Sequence, residues 1–208
     1  MFEVVVIGNG GHSRSCVDAW DPACDFEPIG CTGESADSRS ELPYLGTDDV
    51  LAGLHSLGVR HVFVAIGAGP VRERLTAHAD ALGFTPVPVI ASSAHIARTA
   101  TIGAGAAILH GSVVGAFATV GEGAIINTGA TVDHDCIIGP YAHVAPGSHL
   151  AGNVTVGAHA FLGVGVSVTP GVTIGERAVI GAGAVVLADV PADETVVGVP
   201  ARPLHREA

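Results

Sequence analysis

From Ile90 to Val186 every sixth residue is Ile, Leu or Val, seventeen times in succession without a failure. If roughly a third of residues were aliphatic, chance would give such a run on the order of once in 10⁸. A second register runs beside the first. Four residues after each aliphatic stands a small or slim side chain, for example Ala94, Ala100, Ala106, Ser112, Ala118, Ala124, Ala130, Cys136, Ala142 and Ser148. The residue directly after the aliphatic is often Gly, as at Gly103, Gly115, Gly121, Gly139, Gly157, Gly163, Gly175 and Gly181. A helix repeats every 3.6 residues and a strand every two, so neither produces a period of six. A short strand followed by a corner does.

This pattern predicts a parallel β-helix of hexapeptide repeats, with the aliphatic and small registers pointing inward and Gly relaxing the corners. Three hexapeptides close a triangular coil, so seventeen make five to six coils. At about 4.8 Å per coil the prism is roughly 25 Å tall. The composition fits such a core. Of 208 residues 29 are Gly, 48% are hydrophobic, only 4% are aromatic and 14% are charged.

Residues 1–85 follow another grammar. Phe2–Ile7 reads as a buried strand, Gly8-Asn9-Gly10-Gly11-His12-Ser13 as a glycine-rich turn, and Ser13–Trp20 as a helix. His61–Ile66, Gly67-Ala68-Gly69-Pro70 and Val71–Leu82 repeat the sequence of strand, turn and helix. Two such units predict a small parallel α/β domain. Its first turn offers backbone N–H groups and a positive helix end to a phosphate, or is simply a tight turn. Pro86-Val87-Pro88 links it to the first coil, giving domains 1–85 and 86–208.

The net charge is −11; the chain has no Lys, and its nine Arg residues are scattered. No clustered basic face exists for nucleic acid. No stretch approaches eighteen apolar residues, and the N-terminus lacks a basic segment ahead of its short apolar run, so we expect a cytoplasmic chain off the membrane. Cys16, Cys24, Cys31 and Cys136 form no C-x-x-C pair and are expected as reduced thiols.

Taken together, G-x-G-G-H before the repeats, the stretch Ile126-Asn127-Thr128-Gly129-Ala130-Thr131-Val132-Asp133-His134-Asp135-Cys136-Ile137-Ile138-Gly139, the block Ala151-Gly152-Asn153-Val154 and the tail Val197-Gly198-Val199-Pro200-Ala201-Arg202 carry a resemblance. The chain resembles the sialic acid and bacillosamine-pathway sugar acetyltransferases, the PglD/NeuD-like hexapeptide acyltransferases. The resemblance implies an α/β, Rossmann-like N-terminal domain followed by a left-handed parallel β-helix. It also implies an acetyl-CoA-dependent N-acetyltransferase acting on a nucleotide-linked amino sugar, assembled as a homotrimer with active sites between prisms.

The resemblance makes His134 the general base and Asp135 the carboxylate that raises its basicity. It puts acetyl-CoA contacts at His143, on a coil corner, and at Gly152, Val164 and Ala182. It places the nucleotide sugar against Gly10, Gly11, His12 and Gly67. The segment Ile29-Gly30-Cys31-Thr32-Gly33-Glu34 lacks the acidic pair many members carry after the second strand, and Ala68 replaces the Asn common after Gly67.

The residues suit that chemistry. An attacking amine must lose a proton, and a neutral His near pH 7 can accept it. A carboxylate on the far ring nitrogen fixes the tautomer, and Asp135 or Asp133 is placed for this. His134 lies between the inward slots Val132 and Cys136, so it should face outward. Cys136 takes a small inward slot and reads as core. Alternatives are a sugar O-acetyltransferase on the same fold, a β-helix carbonic anhydrase, and a non-catalytic scaffold. The spacings between His134, His143, His149 and His159 do not match the anhydrase's close His pair, and no metal pattern appears.

Overall fold

The computed structural model describes residues 1–204; the last four residues of the predicted second domain, 205–208, lie outside the described residues. The chain opens with a five-stranded parallel sheet. Its strands are β1 (Phe2–Ile7), β2 (Phe26–Thr32), β3 (Tyr44–Gly46), β4 (His61–Val64) and β5 (Thr85–Pro86), in the order β3-β2-β1-β4-β5. Helices α1 (Gly11–Asp18), α2 (Leu51–Ser56) and α3 (Gly69–Ala81) connect them. The central strand β1 is buried and apolar from Val4 to Ile7 because both its faces are covered there. Val5 and Ile7 pack with Leu51, Val62, Ala79 and Phe84, while Val4 and Val6 pack with Cys16, Ala19 and Phe63.

Both helices of the predicted repeating unit begin two residues earlier than expected. The first Gly residues serve as helix start rather than turn. Pro70 sits inside the first turn of α3, where its missing N–H has no intrahelical partner to lose. Strand β4 is two residues shorter than predicted.

Seventeen two-residue strands follow, from Val89–Ile90 to Val185–Val186, each carrying one predicted aliphatic as its second residue. They stack in parallel on three faces. A docking face runs through Val89–Ile90, Ala107–Ile108, Ile125–Ile126, His143–Val144, Phe161–Leu162 and Val179–Ile180. A second face runs from His95–Ile96 to Val185–Val186 and a third from Thr101–Ile102 to Thr173–Ile174. The inward aliphatic and small registers form one continuous core. Its polar members are satisfied: Ser112 donates to Leu109 O at 2.6 Å and Ser148 to Gly163 O at 2.8 Å.

The corner glycines work differently from the expectation. Gly103, Gly115, Gly121, Gly139, Gly157, Gly163, Gly175 and Gly181 do not have positive φ. They lie where successive coils touch. A Cβ on Gly139 would stand 2.6 Å from Ala158 N, in the backbone of the next coil. The left-handed conformation falls two residues later, at every sixth residue from Gly105 to Gly183. Seven of the residues with positive φ are not Gly: Phe117, Asp135, Tyr141, Asn153, His159, Arg177 and Asp193.

The α/β sheet is seated on the docking face. Outward residues Val89, Ala107 and Ile125 join Val4, Val6, Cys16 and Phe63 in one buried cluster. Further along the same face the cover ends, and His143, Phe161 and Val179 come partly into the open. No helix among the described residues is long and apolar enough to cross a membrane.

Candidate active site

Two groups of the predicted residues come together, at two separate places in one chain. The first is on the corner between the second and third faces. His134 points outward, half exposed, as its register requires. Its Nδ1 lies 2.8 Å from Asp135 Oδ2, and its backbone N–H donates to Asp133 Oδ1 at 2.7 Å. Asp135 thus orients the ring, while Asp133 orients the backbone. The hydrogen bond to Asp135 raises the His134 pKa above its ordinary value, with further charge support from Asp133.

Gly152, one coil further, lies under this ring. A Cβ built there would land on Cε1 and Nε2 of His134. Asn153 N–H holds His134 O at 2.9 Å and fixes the spacing. Cys136 is core, as expected: it is fully buried, it donates to Ala151 O at 3.1 Å, and burial raises its pKa.

The second place is a cleft of about 370 Å³ between the α/β sheet and the docking face, lined by residues that include Gly67, Gly69, Tyr141, His143, His159 and Phe161. His143 is not on a corner as expected; it stands on a docking-face strand, as His149 does on the second face. The strand position turns the His143 ring toward the N-terminal sheet, 6.2 Å from the ring of His12. The turns after β1 and β4 flank the point where the chain order of the sheet reverses, a crevice where α/β sheets bind ligands. Gly67 lines the cleft with His143 and His12 faces it, while Gly10 and Gly11 stand at the start of α1, just ahead of His12.

Burial, reinforced by Arg72, lowers the His12 pKa to about 4. Burial, then His12 and Arg72, lowers His143 to about 4 as well. Both are neutral imidazoles near pH 7. His12 Nε2 touches Cys16 Sγ at 3.5 Å, and burial pushes that thiol up to about 12, far from a nucleophile. Asn127 meets His143 Nε2 at 3.0 Å, while His143 Nδ1 is buried without a partner.

Val164 and Ala182 join neither group. They are exposed on successive coils of the corner between the docking and second faces, linked by Gly183 N–H to Val164 O at 2.8 Å. Arg177, on a corner of the prism, is engaged by Asp193 at 2.6 and 2.8 Å and by Glu176. Among the described residues no three His, Cys, Asp or Glu gather as a metal site would require.

Sequence reasoning missed Tyr141 and His159, which line the cleft, and Arg72 and Asn127, which hydrogen-bond to its lining residues. Arg72 could have been found. It lies on the stripe of α3 shared by Thr76 and Ala79, both buried.

A period-six prism bearing an outward His–carboxylate pair, with an α/β domain docked on one face, defines the hexapeptide-repeat acetyltransferases, and this chain is one. Residues 3–79 match the model of the PglD N-terminal domain, and residues 117–152 and 153–188 each match that of the bacterial transferase hexapeptide (six repeats). PerB from Caulobacter crescentus, solved with CoA and GDP-perosamine, is 41% identical with a TM-score of 0.92, covering 97% of this chain and 97% of that one. The acetyltransferase domain of PglB from Neisseria gonorrhoeae, solved with acetyl coenzyme A, is 34% identical with a TM-score of 0.92, covering 97% of this chain and 98% of that one. WeeI from Acinetobacter baumannii is 27% identical with a TM-score of 0.84, covering 98% of this chain and 100% of that one. Comparison with curated proteins gives no match. The chain belongs to the PglD/NeuD-like family of left-handed β-helix acetyltransferases.

Proposed function

We propose that the protein transfers an acetyl group from acetyl-CoA to the amino group of a nucleotide-linked amino sugar, with His134 as general base. The observation that carries the mechanism is the 2.8 Å contact between His134 Nδ1 and Asp135 Oδ2. It leaves Nε2 outward as the proton acceptor. The substrate class rests on PerB, whose structure holds CoA and GDP-perosamine.

The free amine attacks the thioester carbon directly, and His134 Nε2 takes the proton the nitrogen sheds. A backbone N–H of the corner stabilises the tetrahedral oxyanion. Collapse of the intermediate expels the CoA thiolate, which recovers the proton from the imidazolium. Asp135 stabilises that imidazolium and keeps the ring in one tautomer.

Residues 1–85 form the nucleotide-sugar domain, with Gly10, Gly11, His12 and Gly67 against the substrate. Residues 86–208 form the catalytic prism, with His143, Gly152, Val164 and Ala182 toward acetyl-CoA. These cofactor positions occupy two corners and a face of one prism, so a single bound cofactor meets them only where two prisms lie side by side. A homotrimer supplies that arrangement.

The test is thiol release from acetyl-CoA with UDP-, GDP- and dTDP-linked amino sugars, using hydroxy-sugars as controls. Release with an amino sugar alone is expected. Release with a hydroxy-sugar would assign O-acetyl transfer instead, and no release with any of them would overturn the acceptor.

A further inference from the structure

Arg72 is 1% exposed, yet no carboxylate among the described residues forms an ion pair with it. Its guanidinium instead donates to four backbone carbonyls. Nη1 reaches Ile66 O at 2.6 Å and Gly67 O at 2.9 Å, on the segment between β4 and α3. Nε reaches Gly123 O at 2.6 Å and Nη2 reaches Tyr141 O at 2.8 Å. Gly123 and Tyr141 are equivalent corner positions on successive coils. One side chain therefore ties two coils of the prism to the wall of the cleft opposite His143.

Burying a cation without a counter-charge is costly, and charge-assisted hydrogen bonds offset only part of this. Docking of the sheet does not require it, because Val89, Ala107 and Ile125 already supply an apolar contact. The approach at this joint is close. A Cβ on Gly69 would stand 2.7 Å from Tyr141 O. Lys offers three donors on a flexible stem and cannot reproduce the planar fork that spans all four carbonyls.

We infer that Arg72 is the positioning residue of the nucleotide-sugar cleft: its guanidinium holds the Gly67–Pro70 segment at a fixed distance from the prism, so that Gly67 and His143 face one ligand. Arg72 touches no reacting atom. Its charge also helps to keep His12 and His143 neutral. This inference rests on the function proposed above for what the cleft holds, but not for what Arg72 does to it.

The experiment compares Arg72→Lys and Arg72→Met with the unaltered protein. Hydrogen exchange over residues 66–70 needs no substrate. Faster exchange there in both variants, with the repeat strands unchanged, is expected. Unchanged exchange in Arg72→Lys would overturn the inference. Kinetics then supply the second readout. Arg72→Lys should raise KM for the nucleotide sugar about tenfold or more while KM for acetyl-CoA stays within about twofold. Unchanged KM values with only a lowered melting temperature would reduce Arg72 to a structural residue. If no amino sugar is acetylated by the unaltered protein, the functional reading fails while exchange still decides the role of Arg72.

Discussion

Asp135 adopts a left-handed backbone, φ 58°, and from there its carboxylate reaches His134 Nδ1. Asn tolerates the same conformation, so Asp135→Asn removes the charge and keeps the corner. The pH consequence has a definite sign. Asp135 raises the His134 pKa, and the proposed mechanism needs His134 unprotonated, so kcat/KM should rise with pH along a limb above the ordinary value of 6.5. In Asp135→Asn that limb should move to lower pH while the plateau falls; a pH–rate profile measures both. An unmoved limb would assign it to another group. His143→Gln should leave the limb in place, because His143, with its pKa of about 4, is already neutral there. Replacing the proposed base, His134→Ala, should cost about 10²–10⁴ in kcat with folding intact. Gly152→Ala tests geometry alone. Its φ is ordinary, so the backbone accepts Ala, but the added methyl would occupy the position of the His134 ring. A displacement of that size should cost about 10²-fold in kcat with little change in melting temperature.

At the scale of single elements, the coil carries two kinds of glycine with opposite demands. Gly139 meets the backbone of the next coil, whereas Gly129 has φ 66° and nothing within 4 Å of an added Cβ. Gly139→Ala must therefore spread two coils and should destabilise by about 1–3 kcal/mol, as overpacking does. Gly129→Ala meets only conformational strain, about 1–2 kcal/mol. Denaturant midpoints of the two variants, read with the same slope, check the difference. This distinction was not legible in the sequence, where both glycines look like corner residues. The aliphatic register was legible through all seventeen strands, because burial repeats with the chain. The outward direction of His134 followed from the same register. The placement of His143 did not, because a hexapeptide count fixes which residues point inward without saying where a strand ends. The cleft was less legible still. Arg72 and Gly123 are 51 positions apart, and nothing local in either announces the contact.

For the whole molecule, the proposed homotrimer needs an interface, and the exposed apolar residues are the surface to test for it. Phe117 is 67% exposed and Ile137 53% exposed, both beside His134; Asp135 N–H bonds to Ala116 O in the coil that carries Phe117. Exposed apolar side chains gathered in this way are typical of interfaces. Phe117→Asp should yield monomers by light scattering and abolish acetyl transfer, with the circular dichroism of the coil unchanged; an active trimer would place the interface elsewhere. The Arg72 bridge has a consequence for how such enzymes diversify. The α/β domain is pinned to two particular coils, those of Gly123 and Tyr141. The axial height between the cleft and His134 is therefore quantised. It can change only by inserting or deleting whole turns of eighteen residues, each worth about 4.8 Å. The prism is in effect a ruler with fixed graduations. Under the proposed function, a change of acceptor by point substitution is confined to shapes of one length, and an acceptor longer or shorter by a sugar ring calls for a change in the number of coils.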